Sequence, residues 1–230
     1  MLHGSCDRRG EAMIVRAARG RTEHPGGQTL AEFALVLPIL LVLLLAVADF
    51  GRVFSASITT EASARNAAEI GAIERLRNKP DFSDPSTWAA YYTALHEQIA
   101  KVVCSELSVL PNTTFNAADR TCPTMPLIGV CVRDDRDPIC GAPIGAPISG
   151  FSSTIPASCT HMTEPWSFYS GGEALSHSVE VRVCYRFTTL FNLHFTLPGN
   201  TGLDLGEVWI QRERVFVLDC PPPPVDISTC

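Results

Sequence analysis

Three sets of residues in this sequence could do more than pack: nine cysteines, six histidines, and a glutamate, Glu32, at the start of a long apolar run. Cysteines in number form disulfides or bind metal, histidines do acid–base work or bind metal, and a carboxylate at the edge of a hydrocarbon span is costly without a partner. The histidines are scattered and no pair has ligand spacing. No C-x-x-C occurs, and Cys159-Thr160-His161 stands alone, so no metal site is read and no cofactor is expected. Asp134-Asp135-Arg136-Asp137 lacks the glycine and glutamate of a calcium loop and reads as solvated. There is no G-x-S-x-G elbow, no H-E-x-x-H, no phosphate loop and no dinucleotide fingerprint. A membrane-tethered hydrolase would need a triad that the Ser, His and Asp positions do not assemble. The expectation is a protein that is not an enzyme.

The cysteines are unevenly placed. Only Cys6 precedes the apolar run; Cys104, Cys122, Cys131, Cys140, Cys159, Cys184, Cys220 and Cys230 follow it. An even number on one side suits up to four disulfides in an oxidising compartment, although eight cysteines allow 105 pairings and spacing does not choose among them.

The apolar run positions Glu32. Phe33 to Ala48 carries no charge, and a helix over 28–48 would cover about 31 Å, against about 30 Å for a bilayer's hydrocarbon core. It ends in Asp49-Phe50-Gly51-Arg52 with no small-residue cleavage pattern, so it reads as a retained anchor and not as a removed signal. Pro38, inside the span, removes one helical hydrogen bond and is expected to kink the helix. Residues 1–27 hold five arginines against three acids, net +2; the remaining residues hold 13 basic and 21 acidic, net −8. The positive-inside rule then puts the N-terminus in the cytoplasm and the body outside. The acidic body argues against nucleic acid as a partner.

Helical spacing continues past the anchor. Phe54, Ile58 and Ala62 recur at i+4 and Ile70, Ile73 and Leu76 at i+3, predicting one helix to about Arg77 that Pro80 stops. Asp84 and Pro85 make a good second start, and Trp88, Tyr92, Leu95, Ile99 and Val103 form one apolar face to about Leu107. Residues 108–177 are rich in Pro, Gly and Cys and read as a disulfide-tied loop region, with only Leu127 to Val132 strand-like. Val179, Val181, Val183 and Tyr185 alternate with Glu180, Arg182, Cys184 and Arg186, and Val208, Ile210, Arg212, Arg214 and Phe216 follow a similar period. That alternation predicts antiparallel strands with one covered face. The fold class is therefore α+β: a long N-terminal transmembrane helix continuing into a stalk, then a second helix on a small antiparallel sheet. The run Pro221 to Pro224 predicts an extended tail that Cys230 could tie down.

Gly26-Gly27-Gln28-Thr29-Leu30-Ala31-Glu32-Phe33-Ala34-Leu35-Val36-Leu37-Pro38, the Asp49-Phe50-Gly51-Arg52 that follows, and the alanines Ala62, Ala64, Ala67 and Ala68 together resemble the TadE-like family. Its members are pseudopilins of the tight-adherence (Flp) pilus assembly system. The resemblance covers about 27–70, and the late strands are similar to the family's usual ending. It implies cleavage by a prepilin peptidase after Gly27, making Gln28 the first mature residue, Glu32 the fifth and Phe33 the sixth. It also implies that Glu32 pairs with the N-terminus of a neighbouring subunit. No D-x-S-x-S motif occurs, so the likeness is to the small pseudopilin type.

The organisation expected is a cytoplasmic leader over 1–27, an anchor and stalk over 28–79, and an extracytoplasmic head over 80–230. A start at Met13 would give a leader of more usual length. Close helix packing is expected at Ala46, Ala48 and Gly51, where small residues allow near approach. The partners implied are the prepilin peptidase, other pilins or pseudopilins, Tad assembly membrane proteins and the lipid bilayer of the inner (cytoplasmic) membrane, crossed once. The alternative is a single-pass, membrane-anchored surface binding protein that keeps its leader.

Overall fold

The computed structural model describes residues 26–78, 84–133, 139–141, 145–166, 177–190, 194–197, 201–204 and 206–217. The leader residues 1–25, the acidic stretch 134–137, the proline run 221–224, Cys220 and Cys230 fall outside them. The element order is α1 (Gly26–Arg77), α2 (Pro85–Leu107), β1 (Leu127–Arg133), β2 (Ile139–Cys140), a 3-10 turn at Thr160–Thr163, β3 (Ser178–Thr188), β4 (His194–Leu197), β5 (Thr201–Asp204) and β6 (Glu207–Val217). This is the α+β arrangement expected. Four strands form one antiparallel sheet in the order β2-β1-β3-β6, and β4 and β5 form a separate two-stranded ribbon.

The chain divides into two compact units, Met1–Leu45 and Ala46–Cys230. In the first, the described residues are the start of α1, with every side chain from Leu30 onward exposed. The helix begins at Gly26, two residues before the expected Gln28, and is continuous through Pro38.

The second unit is built on β3, in which every residue from Ser178 to Tyr185 is buried. On the front face, Val179, Val181 and Val183 lie opposite Val132, Val130 and Ile128 of β1. They form one core with Ala64, Ala67, Ala68 and Ala72 of α1 and with Tyr92, Leu95, Ile99 and Val103 of α2. Alanine is what lets three layers meet here. At Gly71 a Cβ would lie 2.5 Å from Ile99 Cδ1 and 3.2 Å from Val179 Cγ1, so any side chain there would have to displace Ile99. The buried hydroxyls of this face bond their own helix: Thr60 Oγ1 donates to Ala56 O at 2.7 Å and Ser63 Oγ to Thr60 O at 2.9 Å.

The stalk helix expected to about Arg77 is present, with its packing on the other side, and one expectation of the sheet is corrected. The apolar residues that signalled the stalk helix, Phe54, Ile58, Ile70, Ile73 and Leu76, lie on its exposed side; its buried side is the alanine stripe, which hydropathy spacing passes over because alanine is small. The rear face of β3 is also not open. Glu180, Arg182 and Cys184 are as buried as the valines, because residues 155–166 form a second cover in which Ile155, Cys159 and Met162 pack against Leu127, Cys184 and Trp209. The disulfide-tied region is therefore a layer of the fold.

Among the described residues three disulfides join Cys104 to Cys122, Cys131 to Cys140, and Cys159 to Cys184. The first ties α2 to the loop leading into β1. The second links directly paired positions of β1 and β2, and the third fastens the rear layer to β3. For the 25-residue separation of that last pair, loop-closure entropy corresponds to about 3.5 kcal/mol.

Candidate functional site

The polar chemistry of the described residues concentrates where one part of the chain is fastened to another. Among the described residues no group of three or more His, Cys, Asp or Glu could hold a metal. The polar groups with built surroundings form three clusters.

The first ties the stalk to the end of the sheet. Asp49, buried although it directly follows the apolar run, accepts hydrogen bonds from the Leu190 backbone N–H at 3.0 Å and 3.2 Å and pairs with Arg52 Nη1 at 3.3 Å. The Arg52 guanidinium sits 5.3 Å from the centre of the Phe187 ring. Next to it the buried Tyr185 hydroxyl accepts from Asn112 N at 3.4 Å; burial pushes this phenol up to about 12, with Arg52 acting in the opposite direction. Asn112 also donates through Nδ2 to Arg186 O and Thr188 Oγ1, both at 3.0 Å. A carboxylate at the foot of the stalk is thus neutralised by a cation one turn on and by a backbone donor from the sheet.

The second cluster lies on the same stalk two turns further along. Glu61 pairs with Arg214 and lies 3.6 Å from Arg212 Nε, while Arg212 also donates to Ser57 Oγ. All these side chains are partly exposed.

The third cluster holds the rear layer. Arg182 is 1% exposed and uses its whole guanidinium. Nε donates to Glu180 Oε1 at 2.8 Å, with Glu213 Oε2 3.3 Å away across the β3–β6 pairing. Nη1 donates to His161 O at 2.9 Å and Glu164 O at 2.6 Å, and Nη2 to Pro165 O at 2.8 Å. The guanidinium stacks 4.3 Å from the Trp166 ring centre. Gln211 adds to the clasp, receiving His161 N–H at 2.8 Å and donating to Ser158 O at 2.9 Å. The chemistry is structural: an arginine satisfies the carbonyls of an irregular segment that no sheet pairs.

His96, on α2, is a fourth buried polar group. Its Nε2 lies 3.1 Å from Ile139 O, so the neutral ring donates there, and burial lowers its pKa to about 4, the hydrogen bond to Ile139 opposing.

Of the positions expected to be processed or to pack, Gly27 and Gln28 fall in the first turn of α1, and Glu32 and Phe33 are exposed along it. Ala46, Ala48 and Gly51 are exposed, and nothing lies within 4 Å of a Cβ at Gly51. At about 100° per residue Ala48 and Gly51 share a side of the helix and Ala46 faces away. From Leu30 the helix is apolar enough to cross a membrane, with a mean hydropathy of 2.8 over its most apolar window, and it is exposed there.

Residues 27–69 match the TadE-like protein family. The chain carries a TadE-like segment. Proteins of that family are associated with the tight-adherence (Flp) pilus system. The match begins at Gly27 and ends at Glu69, so it takes in the apolar run, Asp49, Arg52, Glu61 and most of the alanine stripe. The rest of the head lies outside it. No curated protein matches the chain, and no solved structure does.

Sequence reasoning passed over the Arg182 clasp, because Glu180 and Arg182 alternating with valines read as the wet side of a strand. The signal against that reading was Cys184 on the same side: a disulfide cysteine is seldom at the surface. His96 and the Asp49–Leu190 link carry no comparable mark.

Proposed function

We propose that this protein is a TadE-like minor pilin, a pseudopilin, that takes part in Flp/Tad pilus assembly and secretion and is processed by the prepilin peptidase after Gly27. The observation that carries the reading is the register of the family match: it starts at Gly27, leaving Gln28 first, Glu32 fifth and Phe33 sixth in the mature chain. The new α-amino group would lie one turn from Glu32 on the same side of the helix, and a carboxylate at a span's edge needs such a cation, its own or a neighbour's. The bond to be cut lies in the first helical turn, which has no internal acceptors for its N–H groups. Gly26 and Gly27 each cost a helix about 1 kcal/mol relative to alanine, so unwinding that turn into a peptidase cleft is cheap.

On this reading residues 1–27 are a cytoplasmic leader, 28–79 the anchor and stalk in the inner membrane, and 80–230 an extracytoplasmic head. Three disulfides suit an oxidising space. Its partners would be other pilins or pseudopilins and Tad assembly proteins, approached through small positions such as Ala48 and Gly51 within the bilayer.

The test is the mature N-terminus, read by mass spectrometry in cells with and without the prepilin peptidase, allowing for cyclised glutamine. The expected result is a start at Gln28 that depends on the peptidase. An intact leader in both strains overturns the reading in favour of an anchored surface protein.

A further inference from the structure

The three disulfides among the described residues differ in what surrounds them. Cys104 and Cys122 belong to the front core, and Cys159 and Cys184 to the core beneath the rear layer. All four are 0% exposed. Cys131 is as deeply buried, packed with Trp166, but its partner Cys140 is partly exposed. Thiol–disulfide exchange needs a thiolate to reach one sulfur of the bond, so access decides which disulfide reacts while the chain is folded. Of these three, Cys131–Cys140 is the one with a cysteine at the surface.

Its place in the sheet says what opening it does. Strand β2 is two residues long and is the outer strand of the order β2-β1-β3-β6. The bond therefore joins an edge to its neighbour, whereas Cys159–Cys184 joins two layers. It also closes the smallest ring, with a separation of 9 residues against 18 and 25, and a short ring restrains the unfolded chain least. Losing it costs the fold less than losing either of the others. Other contacts hold β2 in place. Gly141 N donates to Val130 O at 2.7 Å, Ala146 N donates to Cys140 O at 2.9 Å, and His96 Nε2 donates to Ile139 O at 3.1 Å. A Cβ at Gly141 would lie 2.9 Å from both His96 Nδ1 and Ile148 Cδ1, so this edge is closely seated. These contacts keep the two sulfurs near each other after the bond is broken, and it can close again.

We propose that Cys131–Cys140 is a thiol–disulfide exchange site of the folded head, at which a dithiol opens the bond by attacking Cys140. The attacking thiolate forms a bond to Cys140 Sγ; the Sγ–Sγ bond breaks, and its electron pair leaves on Cys131 Sγ, which takes up the proton the attacking thiol lost. The second thiol of the dithiol then loses its proton and attacks the first sulfur, and Cys140 leaves and is protonated in turn. The dithiol is oxidised to a disulfide and the head gains two thiols; the reverse reaction closes the bond. The partner this chemistry fits is a dithiol–disulfide oxidoreductase in the space that the head occupies. Opening leaves a thiol beside Trp166, whose ring stacks on the Arg182 guanidinium. The inference rests on the disulfides of the head and stands whether or not the leader is processed.

The full chain in detergent, without denaturant, tests it with two probes. Under dithiothreitol, samples are alkylated at intervals and mapped by mass spectrometry. Cys131 and Cys140 are expected to be labelled at least about tenfold faster than Cys104, Cys122, Cys159 and Cys184, with the near-ultraviolet circular dichroism of the folded head retained. Under reduced glutathione, a monothiol that stops at the mixed disulfide, acid-quenched samples are expected to carry the adduct on Cys140 and not on Cys131. Oxidised glutathione should then restore the same pairing. Labelling of all three pairs together, or of either other pair first, overturns the proposal, and so does glutathione carried on Cys131. Loss of the near-ultraviolet signal as Cys131 and Cys140 are labelled would overturn it too, making the bond a support of the fold and not a site of exchange.

Discussion

The two faces of strand β3 are equally buried and are covered by opposite means. In front, two helices lay alanines, a glycine and aliphatic side chains on valines, with the Cys104–Cys122 disulfide at the edge of that core. Behind, residues 155–166 have one 3-10 turn and otherwise no repeating backbone bonds, and they are held by a disulfide, by Gln211 and by the single guanidinium of Arg182. A regular element satisfies its own backbone and can be covered by apolar contact alone. An irregular one brings unpaired carbonyls, and burying it requires a donor with several hydrogens in fixed geometry, which is what arginine supplies.

The difference predicts where the head is most fragile. Arg182→Ala removes the cation paired with the Glu180 carboxylate, which is 0% exposed, and the donor to three backbone carbonyls. Removing one partner of such a buried pair costs roughly 3–5 kcal/mol. In the full chain held in detergent, the urea midpoint of near-ultraviolet circular dichroism is expected to fall accordingly, with early proteolysis between residues 155 and 166. Adding Glu180→Gln should recover part of the loss, because the buried charge that Arg182 balanced goes with it. An unchanged midpoint in the single variant would mean that the disulfide alone holds the rear layer.

In front, Ile99→Ala should act differently. Ile99 is fully buried between Gly71 and the sheet, and deleting its side chain costs about 3 kcal/mol through lost transfer and the cavity left. The loss is expected to be global, lowering the unfolding midpoint without opening the rear layer first. Selective cleavage at 155–166 in this variant would show that the two covers are one cooperative unit.

The same contrast explains what could be read beforehand. The second helix was legible to the residue, from Pro85 to Leu107, because its start has a capping acid and its face has aliphatic spacing. Strands β1, β3 and β6 were legible because alternation survives in their valines. The stalk helix was found for a misleading reason, since the apolar residues that mark it face outward and its alanines do the packing. The rear layer was not legible, because nothing periodic distinguishes a buried irregular segment from a solvated one. The processing positions came from family likeness, whereas the Asp49 and Arg182 sites depend on partners 141 and about 20 residues distant.

A pH titration sharpens the comparison on the front side. The folded chain keeps His96 neutral to about pH 4, while the unfolded chain protonates it below its ordinary pKa of about 6.5. Between these values the unfolded state binds more protons, so stability contributed by this site is complete above pH 6.5 and falls as the pH drops toward 4. The loss approaches 1.4 kcal/mol per pH unit inside the window and about 3 kcal/mol in all. His96→Gln, which can still donate to Ile139 O, should remove that slope; urea midpoints at pH 7, 5.5 and 4 for both proteins measure it. Parallel profiles would place the acid sensitivity in other groups.

The smallest effect is expected where the charges look most conspicuous. Glu61 on the stalk pairs with Arg214 and approaches Arg212, both on β6, and these contacts invite the view that charge docks the stalk on the sheet. All three side chains are more than a third exposed, from 38% to 45%. Water and salt therefore screen them, and exposed pairs are worth about 1 kcal/mol or less. The alanine stripe, in contrast, is dry from Ala64 to Ala72 and includes a glycine that no other residue can replace without displacing Ile99. Glu61→Ala should accordingly lower the midpoint by less than about 1 kcal/mol, and 0.5 M salt should shrink even that difference, since the screening length falls to about 4 Å. A loss above about 2 kcal/mol that persists in salt would reverse the assignment. The stalk would then be clasped by charge, as the rear layer is, and apolar packing would no longer be what docks it on the front of the sheet.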